Sequence, residues 1–85
     1  MDKVVNIPIV VAEEFADATE CTISVWFVDE GESVRQNERL YELLIPGMSI
    51  EINSPSAGVL NKILRQRNAT VEPGDIIGWI APEKE

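Results

Sequence analysis

Few side chains in this chain of 85 residues could carry out chemistry. There is no histidine, which removes the commonest general base, every Ser-His or Cys-His nucleophile pair and most zinc sites. The single cysteine, Cys21, has no cation within three positions that would favour its thiolate. The adjacent carboxylates at 13–14 and 29–30 stand beside turn signals, where solvated charge is commoner than an acid/base pair. We therefore predict no catalytic residue, no metal site and no enzyme acting alone.

The stretch LIPGMSIEIN, residues 44–53, contains a strong turn signal between two apolar runs. Pro46 presets the first φ of a type II turn, and Gly47 accepts the positive φ of the second position. The sequence therefore predicts a hairpin of strands 40–45 and 49–53 with Pro46-Gly47 at its tip. The alternation within 49–53 points the two isoleucines inward and Glu51 outward.

β-Structure is predicted through almost the whole chain. Four further runs are rich in β-branched, aromatic or alternating apolar residues, and turn signals separate them. They occupy residues 4–11, 22–28, 59–64 and 76–80. Only residues 12–18 could form a turn of helix. Short strands at such regular spacing are typical of a small sandwich or barrel, so we expect a single all-β domain over residues 1–85.

The charge balance and the cysteine count narrow the class of partner. With 7 basic and 15 acidic residues the net charge is −8, which repels phosphate backbones and anionic lipid, so we expect no nucleic acid and no membrane partner. The apolar run near the start is broken by Asn6 and Pro8 and has neither the length of a membrane span nor the basic start of a signal peptide. One cysteine cannot form an internal disulfide, so a cytoplasmic location is expected. The acidic surface favours solubility and also suits contact with basic patches on a larger protein.

The chain also contains an internal repeat with an offset of 37 residues, which places VWFVDEGESVRQNERLYEL over KILRQRNATVEPGDIIGWI. Gly31 falls on Asn68, and Asn37 falls on Gly74, so the residue types that most readily take positive φ are interchanged at two turns. The lone valines, Val34 and Val71, coincide within polar loops and are predicted to tuck under them. Two copies in one small domain predict two similar sheets related by a pseudo-twofold axis.

Three motifs occur in a fixed order. CTISVWFVDEGESV matches the pattern GTI-x-x-W-x-V-x-E-G-D-x-V at Thr22, Ile23, Trp26, Val28, Glu30, Gly31 and Val34. LYELLIPGMSIEINSPSAGVL matches L-x-E-I-E-T-D-K-A-x-x-E-x-x-S-P-x-A-G-V-V without a gap at Leu40, Glu42, Glu51, Ser54, Pro55, Ala57, Gly58 and Val59. The closing V-x-x-G-x-x-L-x-x-I is met by Val71, Gly74, Ile77 and Ile80. By these motifs the chain resembles the biotinyl/lipoyl attachment domains over about residues 4–80. The resemblance implies a flattened barrel of two antiparallel sheets with pseudo-twofold symmetry, a barrel-sandwich hybrid.

The resemblance breaks at the residue that carries the cofactor in that family. Family members present a lysine at a hairpin tip, and its amine is acylated by lipoate or biotin, but the gapless match places Gly47 at that position. The lysines of this chain are Lys3 and Lys84 near the ends and Lys62 in a predicted strand. Glycine has no side chain from which an amide arm could be made. We therefore expect no cofactor-binding residue at this tip.

Two functions remain open at this point. The favoured hypothesis is a non-enzymatic accessory module that binds a protein partner of a 2-oxoacid dehydrogenase, carboxylase or ligase type. The candidate contact residues are those at and beside the hairpin tip: Glu42, Ile45, Pro46, Gly47, Met48 and Glu51. A plain turn that only closes two strands explains the same tip equally well. The alternative function is an acyl or carboxyl carrier of a multienzyme complex, modified at a different lysine.

Overall fold

A computed structural model describes residues 5–15 and 20–82 of the chain. Its elements are eight β-strands and one short 3-10 helix. In chain order they are β1 (Ile7–Val10), the 3-10 helix (Glu13–Phe15), β2 (Cys21–Trp26), β3 (Ser33–Val34), β4 (Arg39–Ile45), β5 (Met48–Asn53), β6 (Gly58–Ile63), β7 (Thr70–Val71) and β8 (Ile76–Pro82). Over this part of the chain, no helix has the length and apolar character needed to cross a membrane.

The strands form two four-stranded antiparallel sheets. We name them sheet A, with strand order β1-β8-β6-β3, and sheet B, with strand order β5-β4-β2-β7. Each sheet contributes one apolar face to a shared core, so the molecule is a flattened barrel-sandwich. The fold class predicted from the sequence is therefore confirmed.

The strands agree with the predicted runs to within a few residues. β2 begins at Cys21 and ends at Trp26, two residues before the predicted end at 28, and β8 continues to Pro82 rather than ending at 80. β1 begins only at Ile7, and residue 4 of its predicted run lies outside the described residues. The predicted helical turn at 12–18 is a 3-10 helix over Glu13–Phe15, and residues 16–18 lie outside the described residues.

The repeat is confirmed at the level of backbone structure. The first and last residues of β2, β3 and β4 become those of β6, β7 and β8 when 37 is added. The positive-φ residues follow the same offset: Gly31 (φ 91°) corresponds to Asn68 (φ 75°), and Asn37 (φ 70°) to Gly74 (φ 92°). The same left-handed turns therefore occur in both halves, as the interchange of glycine and asparagine predicted.

Much of the core is formed by corresponding apolar residues of the two halves, and its fully buried members are aliphatic apart from Tyr41 and Cys21. Tyr41 breaks the symmetry, because its counterpart in the other half is Gly78. The Trp26 ring lies 5.2 Å from the Tyr41 ring, and its far edge would be 3.6 Å from a Cβ added at Gly78. The rings of Trp26 and Tyr41 thus fill the part of the core that the absent side chain of Gly78 leaves free.

Val34 and Val71 are 3% and 2% exposed, as the repeat predicted. Truncation of either to alanine removes buried methyl groups and leaves a partly collapsed cavity, so each variant should lose about 1–3 kcal/mol of unfolding free energy. Urea denaturation followed by tryptophan fluorescence measures this loss. Val10→Ala, at a strand residue that is 48% exposed, is the matched control and should change stability by less than about 0.5 kcal/mol. Near-neutral results at both buried valines would contradict the proposed packing of the loops.

Burial, with a smaller contribution from the charge of Cys21, raises the pKa of Tyr41 from 10.0 to about 12. Above the ordinary pKa the unfolded chain loses the phenolic proton while the folded chain keeps it. Unfolding free energy should therefore be lost between pH 10 and about pH 12, at roughly 1.4 kcal/mol per pH unit from this group. In the Tyr41→Phe variant, the urea concentration at the unfolding midpoint should fall less steeply with pH over this range. Because Tyr41 is the single tyrosine, its absorbance reports the phenolate directly, and a titration midpoint near 10 in the folded protein would contradict the burial effect.

Candidate functional site

The hairpin of β4 and β5 has a two-residue tip. Ile45 pairs with Met48 as the last pair of the ladder, and Pro46 and Gly47 form the connection. Gly47 has φ 88°, which is the value that the second central position of a type II turn requires. The hairpin and the positive φ predicted from the sequence are therefore confirmed. A Cβ added at Gly47 would meet no atom within 4 Å, so the direction in which a side chain would leave this position is sterically open.

A groove of about 370 Å³ lies beside this tip. Its lining is the carboxylate-bearing Glu20, the cross-strand pair Thr22 and Leu44, and the tip residues Ile45, Pro46 and Gly47. We call it the tip groove. Leu44 is 48% exposed, and Met48, across the tip, is 56% exposed. An open groove with an apolar floor and one carboxylate can accept an aliphatic or aliphatic-cationic side chain of another molecule.

Glu42 and Glu51 face each other directly across β4 and β5. Like charges at opposed cross-strand positions disfavour the pair. Glu51 has a compensating cation, because Arg39 Nη1 lies 3.2 Å from its Oε2. In the described part of the chain, Glu42 forms no salt bridge, so its charge is left uncompensated on the hairpin. The structure thus places four of the predicted contact residues at the tip and the two glutamates further along the same hairpin.

Three residues of the tip groove were not predicted from the sequence. Glu20 directly precedes β2, and Thr22 is the second residue of that strand. Both lie beside the tip because β2 pairs with β4. The outward direction of Leu44 could not be inferred either, because it lies in an unbroken apolar run with Leu43 and Ile45. The cross-strand pairing of Thr22 with Leu44 is the feature that would have revealed all three.

The other groups considered as chemical candidates lie away from the tip. Cys21 is buried, and burial raises the pKa of its thiol from 9.0, so the neutral, unreactive form is favoured. Lys62 is exposed near the end of β6, and Lys3 and Lys84 lie outside the described residues. Within residues 5–15 and 20–82, no group of three or more His, Cys, Asp or Glu side chains is arranged to hold a metal ion.

A solved structure shares the fold. The lipoyl domain of the 2-oxoglutarate dehydrogenase complex from Azotobacter vinelandii, determined in solution, aligns with a TM-score of 0.69 at 21% sequence identity. The alignment covers 94% of this chain and 99% of that domain. At this identity the likeness concerns the fold alone.

Curated relatives are similar in sequence. The dihydrolipoyllysine-residue succinyltransferase component of the 2-oxoglutarate dehydrogenase complex from Rickettsia bellii is 35% identical over 75 residues, which are 88% of this chain and 19% of that protein. The protein of the same description from Staphylococcus saprophyticus is 38% identical over 74 residues, or 86% of this chain and 18% of that protein. The chain therefore spans less than a fifth of these relatives.

The family match covers most of the chain. A model of the biotin/lipoyl family, described as biotin-requiring enzyme, matches residues 9–80. That range begins within β1 and includes both sheets and the hairpin tip. The family resemblance read from the three motifs is thereby confirmed. The chain belongs to the biotinyl/lipoyl attachment domain family.

Proposed function

We propose that this chain is an unmodified, non-enzymatic member of its family that binds a protein partner through the hairpin tip. One observation carries the proposal: Gly47 occupies the tip at which the resemblance places the family's acceptor lysine. Acylation by lipoate or biotin requires an amine at that tip, and glycine supplies none. The hairpin itself is intact, with its ladder paired up to Ile45 and Met48.

The surroundings of the tip support a docking role over a plain turn. A turn that only closed two strands would have no need of exposed apolar side chains on both sides, yet Leu44 and Met48 are both about half exposed. Single exposed apolar residues are ordinary, but here Leu44 also lines the tip groove, beside Ile45 and Pro46. Met48 has the flexible thioether chain that suits an adaptable contact.

The charges around the groove favour a basic partner surface. Glu20 lines the groove, and the uncompensated Glu42 lies on the same hairpin. In a domain of net charge −8, these carboxylates would steer the tip toward lysine- or arginine-rich protein surfaces and away from nucleic acid or anionic membrane. A cytoplasmic location fits the same proposal.

The relatives suggest the kind of system in which such a partner occurs. The curated relatives are named as succinyltransferase components of 2-oxoglutarate dehydrogenase complexes. We therefore place the partner in a 2-oxoacid dehydrogenase type system, with carboxylase and ligase systems as the wider class. The chain corresponds to only 19% of the Rickettsia relative, so the transferase activity in that name is not assigned to it.

A carrier role remains the second candidate because the relatives are named for a lipoylated lysine. Of the described lysines, only Lys62 could accept an acyl group, and it lies in β6 between β8 and β3 rather than at a turn. Its backbone pairs with Trp79 of β8, so an arm attached there would start from a sheet face. This geometry makes Lys62 a poor substitute for a tip lysine.

Substitution Gly47→Lys tests whether only the acceptor has been lost. The open space around Gly47 admits the side chain, and the positive φ costs roughly 1 kcal/mol, which the tip can reduce by relaxing to a type I turn. We expect Gly47→Lys to fold and to become a partial substrate when it is incubated with lipoate or biotin ligase, ATP and cofactor and then weighed. Wild-type protein should remain unlabelled.

Gly31→Lys is the matched control for this experiment. Gly31 has φ 91° and equally open surroundings, but it lies in a different turn. Because the Gly31 N–H also donates to the Leu60 carbonyl, circular dichroism first confirms that Gly31→Lys is folded. The folded variant should stay unlabelled, because the ligase requires the hairpin position. Labelling of wild-type protein at Lys62 would overturn the proposal. An inert but folded Gly47→Lys would show that the ligase-facing surface has changed together with the acceptor.

Intact mass spectrometry of the protein isolated from its native host separates the two candidate functions. The proposed module should have the mass of its unmodified sequence, because no described lysine occupies a tip. Added mass equal to one lipoyl or biotinyl group, mapped to a lysine by peptide fragmentation, would establish the carrier role instead. Protein from a heterologous host that lacks the cognate ligase serves as the unmodified mass standard.

A further inference from the structure

The two sheets have edge strands that occupy equivalent places. β1 lies at the edge of sheet A and pairs with β8, and β5 lies at the edge of sheet B and pairs with β4. Pro8 is opposite Trp79 in the first pair, and Glu51 is opposite Glu42 in the second. Because adding 37 to the number of Glu42 gives Trp79, Pro8 and Glu51 stand at matching positions of the two edges.

The backbone of β5 directs hydrogen-bonding groups away from the sheet. Ser54 directly follows β5, and its N–H donates to the carbonyl of Glu38, which directly precedes β4, at 2.7 Å. Backbone groups alternate in direction along a strand. The N–H and carbonyl groups of Ser49, Glu51 and Asn53 therefore point to the side away from β4. Within residues 5–15 and 20–82, no strand pairs with β5 on that side.

The other edge strands cannot offer the same row of groups. Pro8 has no N–H, so the edge of β1 lacks a donor at the position that matches Glu51. Proline is one of the devices by which natural sheets prevent an edge from pairing. β3 and β7 have only two residues each. β5 has six residues and no proline, so it is the described edge that retains a continuous row of donors and acceptors.

The charges beside this edge favour a cation on an added strand. Glu42 and Glu51 are opposed like charges, and Arg39 contacts one oxygen of this pair, Glu51 Oε2, at 3.2 Å. In the described part of the chain, Glu51 Oε1 and the Glu42 carboxylate form no hydrogen bond or salt bridge. The loop between β3 and β4 adds one charge of each sign, Arg35 and Glu38. The middle of the edge is therefore left with a net negative charge.

We propose that β5 accepts an antiparallel strand from a partner protein, with a lysine or arginine opposite Glu51 and an aliphatic residue on either side of that cation. The inference rests on the proposed function and specifies its mode of binding, because β5 is the second strand of the same hairpin. The cation lies on the outer face beside Glu51 Oε1, and the aliphatic residues lie on the side of the half-buried Ile50 and Ile52, which pack against the core. A second copy is disfavoured, since self-pairing centred on Glu51 opposes like charges in domains of net charge −8.

Strand addition can be measured with labelled synthetic peptides. The probe is a fluorescent peptide of about seven residues in which valine and threonine alternate around a central lysine, with glycine and serine at its ends. Fluorescence anisotropy with the wild-type protein should show saturable binding. Replacement of the lysine by glutamate, or N-methylation of the lysine amide, should weaken binding at least about tenfold. N-methylation of the neighbouring valine is the matched control and should change affinity less than about twofold, because that N–H points away from β5.

Variants of β5 test the same edge from the side of the protein. Glu51→Pro removes the central outward N–H, as Pro8 does in β1, and should weaken binding at least about tenfold. Glu51→Gln keeps the N–H and is the matched control, which should weaken binding only about threefold, the scale of an exposed ion pair. Circular dichroism establishes that both variants are folded. In the wild-type protein, bound peptide should slow amide hydrogen exchange at Ser49, Glu51 and Asn53 at least about fivefold.

Several results would overturn this proposal and leave the hairpin hypothesis standing. Equal binding of the two N-methylated peptides would exclude strand addition, and equal binding of the lysine and glutamate peptides would exclude the cation. A loss in Leu44→Ser with none in Glu51→Pro would place the peptide in the tip groove. A dimer in sedimentation that Glu51→Pro dissociates would make a second copy the occupant. Absence of saturable binding up to about 1 mM peptide would also overturn it, whereas the ligase experiment on Gly47→Lys tests the proposed function separately.

Discussion

The fold depends on a mutual exchange of loops between its two halves. The loop that carries Gly31 donates an N–H to the Leu60 carbonyl of the other half at 2.8 Å, and the loop that carries Asn68 donates to the Ile23 carbonyl at 2.7 Å. In this way β3 completes sheet A and β7 completes sheet B, although each belongs to the opposite repeat. Each half therefore supplies an edge strand to the sheet of the other half. The positive φ at these two turns is what directs each N–H across the barrel.

The repeat is kept throughout the backbone but not at every side chain. The exchanged hydrogen bonds and strand bounds repeat, but Tyr41 is replaced by Gly78 within the core. A Cβ at Gly78 would stand 2.7 Å from the Lys62 carbonyl, so the two positions cannot be made alike. Trp26 spans the difference by packing on Tyr41 and donating to the Arg65 carbonyl. The same backbone hydrogen-bond pattern thus accommodates different side chains at equivalent positions of the two halves.

The sequence predicted those features that depend on local chemistry or on self-similarity. The Pro46-Gly47 turn could be inferred because both residues are specialised for it, and the buried Val34 and Val71 because the repeat aligned them. β3 and β7 were not identified as strands, since two residues with one apolar side chain carry no periodic signal. The tip groove was also missed, because it arises from the pairing of β2 with β4, which joins residues distant in sequence.

Under the proposed function, the local geometry of the hairpin tip explains how the family's scaffold keeps its shape without an acceptor lysine. The geometry of the tip is set within the turn, by the fixed φ of Pro46 and the positive φ of Gly47, and a side chain at 47 would touch no other part of the molecule. The core and the exchanged loops therefore do not constrain which residue stands there. Glycine even favours the turn, whereas any other residue at this φ is strained. In the function that we propose, glycine at this position excludes covalent attachment and leaves the stability of the fold unaffected or improved. The proposed partner would then bind through residues of the same hairpin, the exposed Leu44 and Met48 and the unpaired Glu42.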